Sequence, residues 1–228
     1  MGKSAGRMGR SFSREELGLP CYTALEETLN AATHGAGALL AAAGLIWLLL
    51  HCRQDGQTLV SVSVFGGSML LLYLVSALYH GIGVCRAKRV LRTMDHCTIF
   101  LLIAGTYTPV SLLCFGGATG WTMFAIVWSV SAVGILLNAI SVQRFRVFSM
   151  ICYIGLGWIV VFFFKQLLVC LDPVSIRNLI VGGVFYTVGA VLYGVGKKKQ
   201  YIHTVWHLFV LAGSIFHYFV IYRISVPA

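Results

Sequence analysis

Charge is scarce in this sequence. Only 11% of its 228 residues are Asp, Glu, Lys or Arg, and only seven of these are acidic. A soluble domain carries about 25% charged and roughly 45–50% apolar residues, whereas 58% are hydrophobic here. One soluble core cannot bury that much apolar surface. The composition therefore excludes a soluble globular domain and predicts an integral membrane protein.

Other absences narrow the reading. No interval alternates apolar and polar residues as strands do, no repeat period recurs, and no linker is long enough to separate domains. Residues 1–25 are polar and basic (Lys3, Arg7, Arg10, Arg14) and lack the apolar stretch of a removable signal peptide, so none is expected. Among the seven cysteines (Cys21, Cys52, Cys85, Cys97, Cys114, Cys152, Cys170) there is no C-x-x-C pair. Neither a disulfide scaffold nor a thiolate zinc site is suggested, and these residues read as small apolar packing groups. The net charge of +10 comes without any nucleic-acid-binding motif. Its basic residues sit in loops, where orientation in a bilayer and attraction to anionic headgroups explain them.

What is present is a series of seven apolar stretches, each near the ~20 residues that cross ~30 Å of hydrocarbon. They predict helices over 28–50, 58–80, 96–115, 120–141, 147–169, 176–196 and 203–223. Thr23 with Glu26 forms a capping box ahead of the first, and Asp172-Pro173 suits the start of the sixth. The expected architecture is an all-α membrane protein, a seven-transmembrane helix bundle over 26–228 behind a basic segment over 1–25. Thirteen Lys and Arg fall on the side of the N-terminus and four on the other. The positive-inside rule then puts the N-terminus in the cytosol and the C-terminus outside. That is the reverse of the G-protein-coupled receptors, so seven spans do not argue for such coupling.

This topology gives each polar residue a depth. His80 lies at the cytosolic end of the second span with Ser76 one turn deeper. Asp95 and His96 open the third span, and His203 and His207 the seventh. Glu27, Asn30 and His34 share one stripe of the first. His203 and His207, at i and i+4, project from one face about 6 Å apart, so two imidazoles can reach one metal. His80 supplies a third nitrogen from another helix, and three histidines with one open position make a catalytic-type zinc site. Asp95 is placed to orient water at the metal or accept its proton. Ser76 could hydrogen-bond a ligand or steady a developing oxyanion.

Plainer readings hold elsewhere. His51 and His96 read as polar contacts near the interface, and His217 lies ~15 Å beyond His207, too far to share its metal. Glu27 is either a partner behind a ligand or simply interfacial. Gly105 and Pro109 would kink the third span, with Thr106 and Thr108 able to bond freed carbonyls. The aromatic residues of 159–164 face lipid or pack. Gly155, Gly157, Gly182, Gly183 and Gly189 would permit close helix approach. The run Lys197–Lys199 is a solvated anchor.

The segments EETLNAATHGAG, SALYH, MDHCTIFLLIAGTYTP and HTVWHLFVLAGSIFH, in this order between Glu26 and Tyr222, resemble the hemolysin III-like membrane proteins of the progestin and adipoQ receptor superfamily. The resemblance implies seven helices, a cytosolic N-terminus and a zinc ion near the cytosolic side, held by three histidines and, through water, an aspartate. Carried over, these are His80, His203, His207 and Asp95, with Ser76 completing the S-x-x-x-H motif. Ceramidase-like activity in relatives implies hydrolysis of a lipid amide bond. The long N-terminal regions of the animal receptors have no match here, so hormone reception is not implied. The family name implies cytolysis, yet no pore-forming hairpin or amphipathic toxin segment is visible. The expectation is a multi-pass plasma-membrane zinc protein acting on a membrane lipid, with a non-enzymatic, zinc-stabilised lipid sensor or a cytolysin as alternatives.

Overall fold

Residues 12–196 and 199–227 are described by a computed structural model. Lys3, Arg7 and Arg10, together with Lys197 and Lys198 of the basic run, lie outside the described residues.

Residues between the apolar runs start the helices. Thr23 Oγ1 accepts from the Glu26 amide at 3.2 Å while Glu26 Oε2 accepts from the Thr23 amide at 2.8 Å, closing the capping box of α1 (Ala24–His51). Asp55 caps α2 (Gly56–Gly81) by accepting from the Thr58 amide at 2.8 Å. Asp172 caps α7 (Pro173–Val195) through the amides of Val174 and Ser175, and Pro173 fills a first-turn position where its missing N–H costs nothing. The remaining helices are α3 (Arg86–Pro109), α4 (Gly117–Ser141), α5 (Arg146–Trp158), α6 (Phe164–Cys170) and α8 (Ile202–Ser225). A π-helical stretch, Val110–Phe115, prolongs α3, and a 3₁₀ stretch, Ile159–Phe163, joins α5 to α6. Seven helical segments are long and apolar enough to cross a membrane, and no strand occurs among the described residues.

The third span begins at Arg86 rather than near residue 96. Apolarity marks where hydrocarbon would lie, whereas α3 runs on below it through Arg86, Lys88, Arg89 and Arg92. Consecutive helices α1 to α4 pack as neighbours, α7 packs on α8, and α8 returns against α1. Gly105 lets α2 and α3 meet, because a Cβ there would collide with the Ser68 side chain; Gly182 does the same for His217 between α7 and α8. Gly155, Gly157 and Gly183, expected to serve close approach, face open space instead. The Thr106 and Thr108 hydroxyls bond the Leu102 and Ala104 carbonyls one turn back, not the Gly105 carbonyl that Pro109 leaves without its usual partner.

The cysteine reading needs correction. Cys114, in the π-helical stretch, and Cys170, at the end of α6, are disulfide-bonded with Cα atoms 5.6 Å apart. Local spacing cannot reveal a pair separated by 56 positions, since bonding depends on where two chain ends meet in space. The bond ties the fifth span to the third at the end of the bundle away from His80, His203 and His207. Elsewhere the fifth span packs sparsely, and the gap it leaves is a cavity of about 500 Å³.

Candidate metal centre

Three helices carry the site. The first turn of α8 follows Tyr201, whose backbone is left-handed (φ 62°) and whose amide donates to Glu26 Oε1 at 2.9 Å. That contact sets the start of α8 against the start of α1, and it places His203 and His207 on the face toward α1 and α2. His80, in the last turn of α2, meets them. His203 Nε2 lies 3.2 Å from His80 Nε2 and 3.1 Å from His207 Nε2, and all three rings are buried.

The tautomers follow from the outer nitrogens. His80 Nδ1 is 2.7 Å from Glu27 Oε2, and a carboxylate only accepts, so Nδ1 carries the proton. His207 Nδ1 faces the Asn30 carbonyl at 3.3 Å and Thr33 Oγ1 at 3.2 Å. The Thr33 hydroxyl is already directed to the carbonyls of Leu29 and Asn30, so this Nδ1 also donates. The Nε2 lone pairs of His80 and His207 therefore point toward His203 Nε2. A proton on His203 Nε2 would satisfy only one of these two lone pairs well, whereas a cation among the three nitrogens satisfies both and His203 as well. The two separations at His203 are close to the roughly 3.3 Å between nitrogens that each stand 2.0–2.1 Å from a tetrahedral zinc, and all three nitrogens lie within 4.8 Å of one another. The donor set fits a metal ion.

Glu27 in turn is held by two cations, Arg14 Nη1 at 3.0 Å and Lys88 Nζ at 3.1 Å. Lys88 is only 1% exposed, and its ammonium also donates to the carbonyls of Tyr79 and Ile82, both at 2.8 Å. It satisfies the last free carbonyls of α2 and the carboxylate behind His80 at once. The segment before α1 closes over this end. Leu17 and Leu19 pack with Tyr79, Arg92 and Gln143 bond the Gly18 carbonyl, and Tyr22 stacks on His203 with centroids 5.1 Å apart. Burial holds the Tyr22 phenol well above its usual range, so the ring beside the site is neutral.

On the bundle side, His34, His203 and His207 open onto the cavity, together with Asp95 and His96. Most of the remaining wall is apolar, reaching Leu167 and Ile176 toward the opposite end. Asp95 is nearly buried and its nearest ionic partner is His96 Nδ1 at 3.9 Å. It is not one of the three groups that meet at the nitrogen cluster. Ser76 is fully buried, its hydroxyl has no hydrogen-bond partner, and it is not part of the cavity wall. His96 donates to the Arg92 carbonyl at 2.9 Å, His51 contacts the Trp47 carbonyl, and His217 bonds the Leu179 carbonyl at 3.2 Å. All three are the polar contacts expected.

Sequence reasoning left Glu27 open and did not find Lys88, Arg14 or Tyr22. The stripe Glu27–Asn30–His34 was the available signal for the first. Lys88 carried none, because a lysine in a basic connection reads as solvated.

A multi-pass helical membrane protein with a buried tri-histidine group able to hold a metal ion at one end is the class that fold and site define. Residues 22–218 match the family described as Haemolysin-III related, and the chain belongs to that family. It is 40% identical to "Hemolysin-3" of Bacillus cereus over 204 residues, 89% of this chain and 93% of that one. It is likewise 40% identical to the "Hemolysin-3 homolog" of Bacillus subtilis (strain 168) over 210 residues, 90% and 98% of the two chains. A more distant relative is the human "Monocyte to macrophage differentiation factor", 26% identical over 213 residues, 89% and 84% of the two.

Proposed function

We propose that the protein is a zinc-dependent hydrolase of the plasma membrane that cleaves an amide bond in a membrane lipid. The observation that carries this reading is the opening of His203 and His207 onto a largely apolar cavity of about 500 Å³, a volume in the range that holds a drug-sized or single-chain ligand. His80, His203 and His207 would hold the ion and leave a position free. When bound, zinc lowers the pKa of water from ~15.7 toward ~7 and polarises a carbonyl.

The chain's own residues supply the rest. Glu27 keeps His80 in the tautomer that offers Nε2, and the Asn30 carbonyl does so for His207. Asp95, on the cavity wall beside them, takes the proton released by water and returns it to the leaving nitrogen. Ser76, one turn from His80 with a buried hydroxyl that lacks a partner, is the hydroxyl this reading assigns to the developing oxyanion. The apolar wall holds the acyl chain and keeps bulk water out. The basic connections at the metal end favour a cytosolic site, and the disulfide at the other end suits an oxidising exterior.

Purified protein with long-chain amide lipids tests this. Metal-dependent turnover should vanish in His207→Ala and fall by about 10²–10⁴ in Asp95→Ala. Turnover surviving both changes overturns the catalytic reading. A chain that loses thermal stability on metal removal yet never hydrolyses a lipid is the non-enzymatic, zinc-clamped protein instead. Dye leakage from liposomes tests the lysis that the relatives' name suggests.

A further inference from the structure

His34 takes no part in the tri-histidine group, yet it is 3% exposed and neither ring nitrogen makes a hydrogen bond of good geometry, the His207 backbone being the polar group that comes nearest to one. Its ring lies face to face with His207, centroids 3.5 Å apart and planes 11° apart, and Tyr73 meets it edge-on at 5.0 Å. Tyr73 is itself fixed by donating to Ser214 Oγ at 2.7 Å. The imidazole is therefore held by packing on two sides while it forms part of the cavity wall.

A ligated metal lies in the plane of its imidazole, about 2.0–2.1 Å from the nitrogen. A ring stacked 3.5 Å above His207 is too far to share such an ion. It is near enough to hydrogen-bond a group seated beside it. A neutral imidazole offers one donor and one acceptor, and leaving them without well-placed partners in a buried site is unfavourable. Such a cost is borne where a ligand removes it.

We propose that His34 is the headgroup anchor of the intramembrane cavity: it hydrogen-bonds the polar end of a single-chain lipid whose headgroup both donates and accepts, as a hydroxyl or amide does. Leu72, Ile99, Ile103, Val160 and Leu179 line the space for the chain. This rests on the reading of the cavity as a lipid site, but not on hydrolysis.

The cavity supplies a reporter, since Trp158 and Trp206 line it. The test uses metal-loaded, full-length protein in detergent, with Trp47, Trp121, Trp128 and the part-exposed Trp158 changed to phenylalanine so that Trp206 alone reports. Quenching is titrated with a chain-brominated octadecanol, which cannot be hydrolysed, and with chain-brominated octadecane, which has no headgroup. The alcohol is expected to bind on the order of tenfold tighter than the hydrocarbon. His34→Phe, which keeps the stack, should erase that preference with metal content unchanged, and His34→Gln, which keeps a donor and an acceptor, should retain most of it. An alcohol preference absent from the parent protein, or unchanged in His34→Phe, overturns the proposal. So does an equal weakening of both probes, which would make His34 a packing residue. If His34→Phe does not fold, loss of the preference in His34→Gln likewise overturns it. Alcohol binding that behaves as expected without any amide turnover would leave His34 as the anchor and remove only the catalytic reading.

Discussion

Glu27 Oε2 and His80 Nδ1 stand 2.7 Å apart, and the other oxygen of that carboxylate lies within 3.1 Å of Arg14 and Lys88. The acid belongs to α1 and the imidazole to α2, so one contact joins two spans and decides which nitrogen of His80 is free. Glu27→Gln keeps the size but removes the charge that orients the ring and leaves two cations facing an amide. Metal affinity, read by chelator competition, should fall by about 10–100-fold. An unchanged affinity would show that His80 needs no partner.

Lys88 should behave as a structural cation. Lys88→Met leaves Glu27 short of one charge and exposes the last α2 carbonyls to an apolar chain. Breaking one side of a buried pair is unfavourable by about 3–5 kcal/mol. Thermal unfolding in detergent should fall well below that of Lys88→Arg, which can still reach the carboxylate. Equal melting of the Met and Arg variants would contradict the assignment.

The meeting of three histidines from two distant spans was readable from the sequence, and for a definite reason. In a chain this apolar, a histidine or aspartate inside a span is costly, and alternating span direction leaves little freedom in which residues meet. That logic brought His80, His203 and His207 together. It failed where side chains reach between elements. Lys88 looked solvated because its helix extends beyond its apolar part, and the pairing of Cys114 with Cys170 required knowing that the π-helical end of the third span meets the end of the fifth. Ser76 shows the converse. It was named from its place one turn from His80, but helical spacing does not say whether a hydroxyl reaches the cavity.

The disulfide gives a prediction at the far end. Cys114→Ser with Cys170→Ser should reduce stability by about 2–4 kcal/mol, seen as a lower melting temperature, and should abolish the mobility change on non-reducing gels. With the expected orientation, a membrane-impermeant reductant added outside intact cells opens the bond. Protection from it would reverse the orientation.

Asp172 gives a pH signature at the same end. Hydrogen bonds from Arg223 first, then from Ser175, hold its carboxyl well below the usual carboxylate range. A carboxyl whose folded pKa is depressed contributes its stability above the unfolded value of about 3.9. The contribution is lost as pH falls from there toward the folded pKa. The melting-temperature gap between parent and Asp172→Asn should therefore be constant near neutrality and narrow below about pH 4. A gap that stays constant through acid would mean that the contact carries no linkage.

Everything proposed for the site depends on whether the three nitrogens hold an ion. Metal analysis of protein purified without added metal or chelator tests this most directly, beside a variant with His80, His203 and His207 all changed to alanine. The prediction is about one zinc per chain in the parent, following from one tri-nitrogen site, and none in the variant. A parent chain free of metal, or a variant that keeps it, would contradict the account.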